Sequence, residues 1–134
     1  MSSEFRREGR IFRLVTFTPS HRQLIIRSDA HESEGERTRI EIYFGHVELM
    51  FIQPEYDALH LRKAADAERA EMVARFGLSD LNAGFYLLNP DGNHFIASGK
   101  PMWREAPRSF DDPSLFDFSM PPPLPSDVDW GVID

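Results

Sequence analysis

The chain has 134 residues, a net charge of −7 and no cysteine. That length predicts one domain able to bury a core, and the missing cysteine excludes disulfides, thiolate metal sites and a cysteine nucleophile. The acidity is uneven: residues 1–103 hold 13 basic and 15 acidic side chains, whereas residues 104–134 hold two against seven. Such a chain repels phosphate backbones, which argues against nucleic acid as a partner and makes a basic protein partner electrostatically easier. No stretch approaches about 18 consecutive apolar residues, so no membrane span is expected. The charged start, Glu4-Phe5-Arg6-Arg7-Glu8 with no apolar stretch behind it, does not read as a secretory signal. Together these features point to a cytoplasmic protein.

Residues 5–10 read as a charged lead-in with Gly9 as a turn. Residues 11–17 form the first expected strand, apolar on both faces around Phe12 to Val15. Thr18-Pro19-Ser20-His21 reads as a turn, and Leu24-Ile25-Ile26 marks a second covered strand over 23–27. Residues 28–36 offer no apolar anchor larger than alanine and are expected to form an exposed, mobile loop. Over 39–44 the alternation is clean: Ile40, Ile42 and Phe44 face one way, Arg39, Glu41 and Tyr43 the other. A fourth strand is expected over 47–52, joined to the third by a hairpin at Gly45-His46 or by a bulge in one long bent strand, the hairpin being preferred. These four segments predict a meandering antiparallel sheet.

After Pro54 one long helix is an option, but charges interrupt every helical stripe. The preferred reading is a strand over 59–63 with Leu59 and Leu61 inward, then a helix capped by Asp66. Its apolar row is Ala70, Val73 and Phe76 with Met72 beside it, and Gly77 ends it. Residues 85–88 and 94–98 flank Asn89-Pro90-Asp91-Gly92-Asn93 and predict a hairpin. Beyond Lys100, prolines prevent regular pairing, while aromatic residues argue against a solvated tail. Residues 110–118 are expected to drape across the domain and bury rings, and 121–125 to run as extended polyproline. The expected fold is therefore α+β: mainly an antiparallel meander with one helix over 1–103, and an irregular, acidic, Pro-rich C-terminal segment over 104–134 on the same domain.

Motifs for chemistry are sparse. There is no Gly-x-Ser-x-Gly elbow, and Pro101 spoils Gly99-Lys100-Pro101 as a phosphate loop because it offers no N–H. His46 and Glu48 share a strand face, and His60 or His94 from a neighbouring strand would complete a set able to hold a divalent metal. Glu41 and Glu48 could form a cross-strand carboxylate pair. Solvated polar faces explain both patterns more simply, so no catalytic residue, metal or cofactor is assigned. The most informative stretch is Asp111-Asp112-Pro113-Ser114-Leu115-Phe116-Asp117-Phe118, which alternates acids with large apolar groups. Asp111, Asp112, Phe116, Asp117 and Phe118 suit a groove that is basic at its rim and apolar at its centre. That groove belongs to this domain, to a second copy or to another protein.

Residues 20–28, a Leu/Ile strand ending in Arg27-Ser28, then an acidic loop and the alternating Thr38-to-Met50 stretch, resemble small bacterial β-rich domains, some similar to immunity proteins of polymorphic toxin systems. The resemblance covers roughly the first half of the chain. It implies a cytoplasmic, non-enzymatic protein that neutralises a partner by binding it, and it supplies no catalytic residue. The alternatives are a small-ligand or metal-dependent enzyme using His46, Glu48 and His60, and a structural homodimer pairing exposed sheet edges.

Overall fold

A computed structural model describes residues 4–31, 37–89, 94–119 and 121–134. In chain order the elements are β1 (Glu4–Arg7), β2 (Phe12–Thr18), β3 (Gln23–Ser28), β4 (Arg39–Phe44), β5 (Leu49–Phe51), β6 (Glu55–Tyr56), β7 (Leu59–Lys63), α1 (Asp66–Phe76), β8 (Gly84–Leu88), β9 (His94–Ser98), β10 (Met102–Ala106) and β11 (Asp129–Val132). The strands make two antiparallel sheets, a five-stranded one ordered β1-β7-β8-β9-β5 and a six-stranded one ordered β11-β10-β4-β3-β2-β6. The fold is α+β and dominated by sheet.

The strand period explains the layering, because alternate side chains serve opposite faces. Between the sheets, Ile40, Ile42 and Phe44 of β4 meet Leu24 and Ile26 of β3, Leu59 and Leu61 of β7, and Tyr86 and Leu88 of β8. The other face of β8 and β9, carrying Phe85, Leu87, Phe95 and Ala97, is covered by α1 through Met72 and Val73. The outer face of the six-stranded sheet, with Ile25, Tyr43, Met102 and Ala106, is covered by Leu115, Phe116 and Val128. The molecule is thus a helix, two sheets and a C-terminal wrap, stacked in that order.

Several expectations change here. The chain does not turn back at Gly45-His46: β4 pairs with β3 and β10, whereas β5 pairs with β9 in the other sheet. The link is a corner between sheets, with His46 at φ 51° and Val47 buried in the central core. Of the four segments expected to form one meander, only β2, β3 and β4 do so. The start of the expected lead-in over 5–10 is instead part of β1, which inserts Phe5 into the core. The wrap is strand at both ends, since Arg104 to Ala106 belong to β10 and β11 pairs beside it. Gly131 lies opposite Trp103, and a Cβ there would run into the indole.

The helix begins one residue earlier than expected. Ala65 is its N-cap and Asp66 the first helical residue, while Glu68 accepts the Ala65 N–H at 2.9 Å and a fork from Arg62 at 2.7 and 2.9 Å. Gly77 ends it in the left-handed conformation, φ 66°. Met72 is its buried residue, and Ala70 and Phe76 are exposed rather than in the apolar row. Strands β8 and β9 pair as a hairpin. Its turn at 90–93 and the loop at 32–36 lie outside the described residues. Ser28, taken for that loop, is buried in β3 and accepts from Arg10 Nε at 2.9 Å. The proline run bends at Pro122 and Pro123 instead of continuing as an extended helix.

Candidate functional site

Antiparallel register places opposite residues on the same face. On the outer face of the six-stranded sheet it aligns Trp130, Arg104, Glu41, Arg27 and Arg13 in one transverse row. Arg39 and Glu41 were expected to point away from the core, and they do. They are nevertheless buried, at 0% and 1% exposure, because the wrap lies over them.

Charge at that depth persists only when it is paired and hydrogen-bonded, and here the wrap supplies the partners. Arg39 donates to the backbone carbonyls of Ser109 (2.5 Å), Phe110 (3.2 Å), Asp112 (3.1 Å) and Pro113 (2.9 Å). Glu41 accepts from the Ser114 hydroxyl at 2.5 Å and the Leu115 N–H at 2.8 Å. The two side chains approach each other at 3.4 Å. Asp29 Oδ1 lies 3.1 Å from Arg27 Nε and 3.7 Å from Arg39 Nε, ion-pair contacts outside hydrogen-bond geometry. Arg39 and Glu41 therefore act as a two-sided clasp on residues 109–115. Arg10 makes a similar clasp at the base of the 29–38 loop, donating to Ser28, Asp29 and Thr38.

Beyond the clasp the wrap divides its aromatic residues. Phe116 is buried and stacks on Tyr43 at 5.4 Å with 24° between planes, and Phe118 meets the same ring edge-on at 5.3 Å. Phe118 is still 59% exposed, Phe110 72% and Trp130 60%. The acids sit between these rings. Asp111 is exposed. Asp112 closes a turn by accepting the Ser109 N–H and hydroxyl, and these two bonds hold its carboxyl below the usual range. Asp117 is lowered likewise by the hydroxyl and N–H of Ser119. Of the expected partner-binding residues, Asp111, Asp117 and Phe118 stand at the surface, Asp112 organises the turn, and the Phe116 ring faces inward.

A groove of about 520 Å³ runs beside this surface, between the proline run and the sheet. Arg104 lies along it, donates to the Leu115 carbonyl at 2.7 Å and rests on the Phe116 ring at 4.4 Å. Burial lowers its pKa, and the Glu41 charge acts in the opposite direction. Arg108 at the rim grips both oxygens of Asp127, at 2.7 and 3.1 Å.

The other candidates are scattered. Glu48 accepts the N–H groups of Asn82 (3.1 Å) and Ala83 (2.7 Å). Glu41 lies in the other sheet, so the two do not form a carboxylate pair. His60 Nε2 is 2.9 Å from Glu4, at a cleft between β1, β6 and β7. His46 sits at the corner between sheets. Among the described residues no three His, Cys, Asp or Glu side chains gather as a metal site, and no helix is long and apolar enough to cross a membrane. Arg39 and Glu41, which organise the site, carried no signal beyond their alternation with apolar neighbours, and Arg104, between Trp103 and Glu105, carried none. No protein-family model matches the chain, and no curated protein and no solved structure matches it either.

Proposed function

We propose that the chain is a non-enzymatic interaction module that binds and masks a basic protein partner through its C-terminal wrap. The supporting observation is the clasp: two buried charges spend their hydrogen bonds on holding residues 109–115. The neighbouring rings Phe110 and Phe118 and the acids Asp111 and Asp117 are thereby held at the surface. A pre-ordered segment loses less entropy on binding. Exposed aromatic rings ringed by charge are the usual anchors of a protein interface, and the acids supply steering toward a basic surface. Masking of this kind is also what the resemblance to immunity-like domains implies.

The test is to recover the partner from the source cells, purify it and titrate it calorimetrically. The double variant Asp111→Lys with Asp117→Lys should bind at least about tenfold more weakly and lose most of the salt dependence, and Phe118→Ala should weaken binding without changing that dependence. Recovery of no protein partner, or of one whose affinity ignores all three changes, overturns the reading. Light scattering that shows a stable dimer paired through β11 would assign the surface to a second copy instead.

A further inference from the structure

The groove beside the wrap holds a guanidinium without a carboxylate partner among the described residues, which the partner surface does not explain. Its lining is mostly apolar and includes Leu115, Phe118, Leu124 and Val128 beside the prolines of 121–125. Two guanidinium groups reach it, and they are in different states. Arg108 is neutralised by the Asp127 fork. Arg104 spends one N–H on a neutral carbonyl and its flat face on Phe116, and no carboxylate of the described residues lies within ion-pair distance of it. Glu41, opposite Arg104 in register, is committed to Arg39, Ser114 and Leu115. Asp117 also borders the groove and keeps its charge there, its Oδ1 accepting from the N–H and hydroxyl of Ser119, but it makes no ion pair with Arg104.

A partly desolvated cation facing an apolar concavity is half of a recognition site, since burial costs free energy that an arriving anion returns. The concavity falls within the range of small-molecule sites, a few hundred to about 1,000 Å³ with few polar groups. We propose that this groove binds a small amphipathic carboxylate, an aliphatic or arylalkyl acid. Its carboxylate pairs with the Nε and Nη2 edge of Arg104, and its hydrocarbon covers Phe118, Leu124 and Val128. The overall acidity of the protein does not forbid this. Charges beyond about 8 Å are largely screened at physiological salt, whereas Arg104 is in contact. Leu124 at 37% and Phe118 at 59% exposure are the apolar area such a ligand would take out of water.

The experiment titrates the full chain with decanoate and decyltrimethylammonium below their micelle concentrations and with decanol below its solubility limit. Calorimetry and tryptophan emission provide the readout, Trp130 standing opposite Arg104 across the β10–β11 pair. Decanoate should bind saturably at one site, decanol at least about tenfold more weakly, and the cation not at all. Arg104→Gln removes the charge while keeping a polar side chain and should bring decanoate down to the level of decanol. Leu124→Glu, at the exposed rim, should abolish decanoate binding while the circular dichroism stays that of the wild type. Should Arg104→Gln fail to fold, the ligand series and Leu124→Glu decide. Equal affinity for acid and alcohol, no saturable decanoate binding, or decanoate binding untouched by Leu124→Glu or by a folded Arg104→Gln overturns the proposal.

Discussion

Replacing Glu41 by alanine tests the clasp directly. The carboxylate is 1% exposed and accepts from Ser114 and Leu115 at 2.5 and 2.8 Å. Alanine leaves the Leu115 N–H without an acceptor and leaves Arg39 with Asp29, 3.7 Å away, as its nearest anion. Stripping one partner from a buried pair costs about 3–5 kcal/mol, which for a domain of this size lowers the melting temperature by on the order of 10–20 °C. Urea unfolding followed by circular dichroism, with linear extrapolation, gives the difference. Glu55→Ala is the internal control, because its pair with Arg13 is 2.9 Å long but about half exposed on both sides and contributes below about 1 kcal/mol. If Glu41→Ala stays within about 1 kcal/mol of the wild type, the clasp is not what holds the wrap. Exchanging both partners, Arg39→Met with Glu41→Leu, should not restore stability. The usual tolerance for apolar replacement of a buried pair fails where four backbone carbonyls also lose their donor.

Other consequences are simpler. Gly131→Ala drives a Cβ into Trp103 and should cost about 1–3 kcal/mol by overpacking, read as a lower urea midpoint with an unchanged slope. Glu68 has its carboxyl lowered from 4.5 to about 2, first by the Arg62 side-chain hydrogen bond and then by the Ala65 N–H. A depressed folded value stabilises above the unfolded one, so Glu68→Gln should be less stable at neutral pH. The gap should close as pH falls from about 4.5 toward about 2. With the pair roughly a third exposed, that gap stays below about 1 kcal/mol after screening, measured by thermal melts across the acid range. Truncation after Ala106 removes β11, the buried Ile133 and the cover over Tyr43 and Met102. The shortened chain should melt far below the full one, and an unchanged melt would show that the wrap adds nothing to stability.

What the sequence by itself determined is local. Leu59 and Leu61 alternating with His60 and Arg62 marked β7, the run from Asp66 to Gly77 marked the helix, and β3, β4, β8 and β9 followed from runs or alternations of apolar residues. In each the apolar period, the turn chemistry and the end signals agree within one short window. The strands that escaped, β1, β6, β10 and β11, are short and lack a clean apolar alternation, and β1, β6 and β10 insert side chains such as Phe5, Tyr56 and Trp103 into a core made elsewhere. Their pairing depends on neighbours distant in the chain. The same limit applies to the site. Alternation showed that Arg39 and Glu41 share a face opposite Ile40 and Ile42, but a period of two says which side a residue is on and never what lies above it. Only the tertiary structure decided that residues 109–115 cover that side. This turned two apparently solvated charges into a buried clasp and left Arg104 facing an apolar groove, because burial is set by contacts between segments some seventy residues apart.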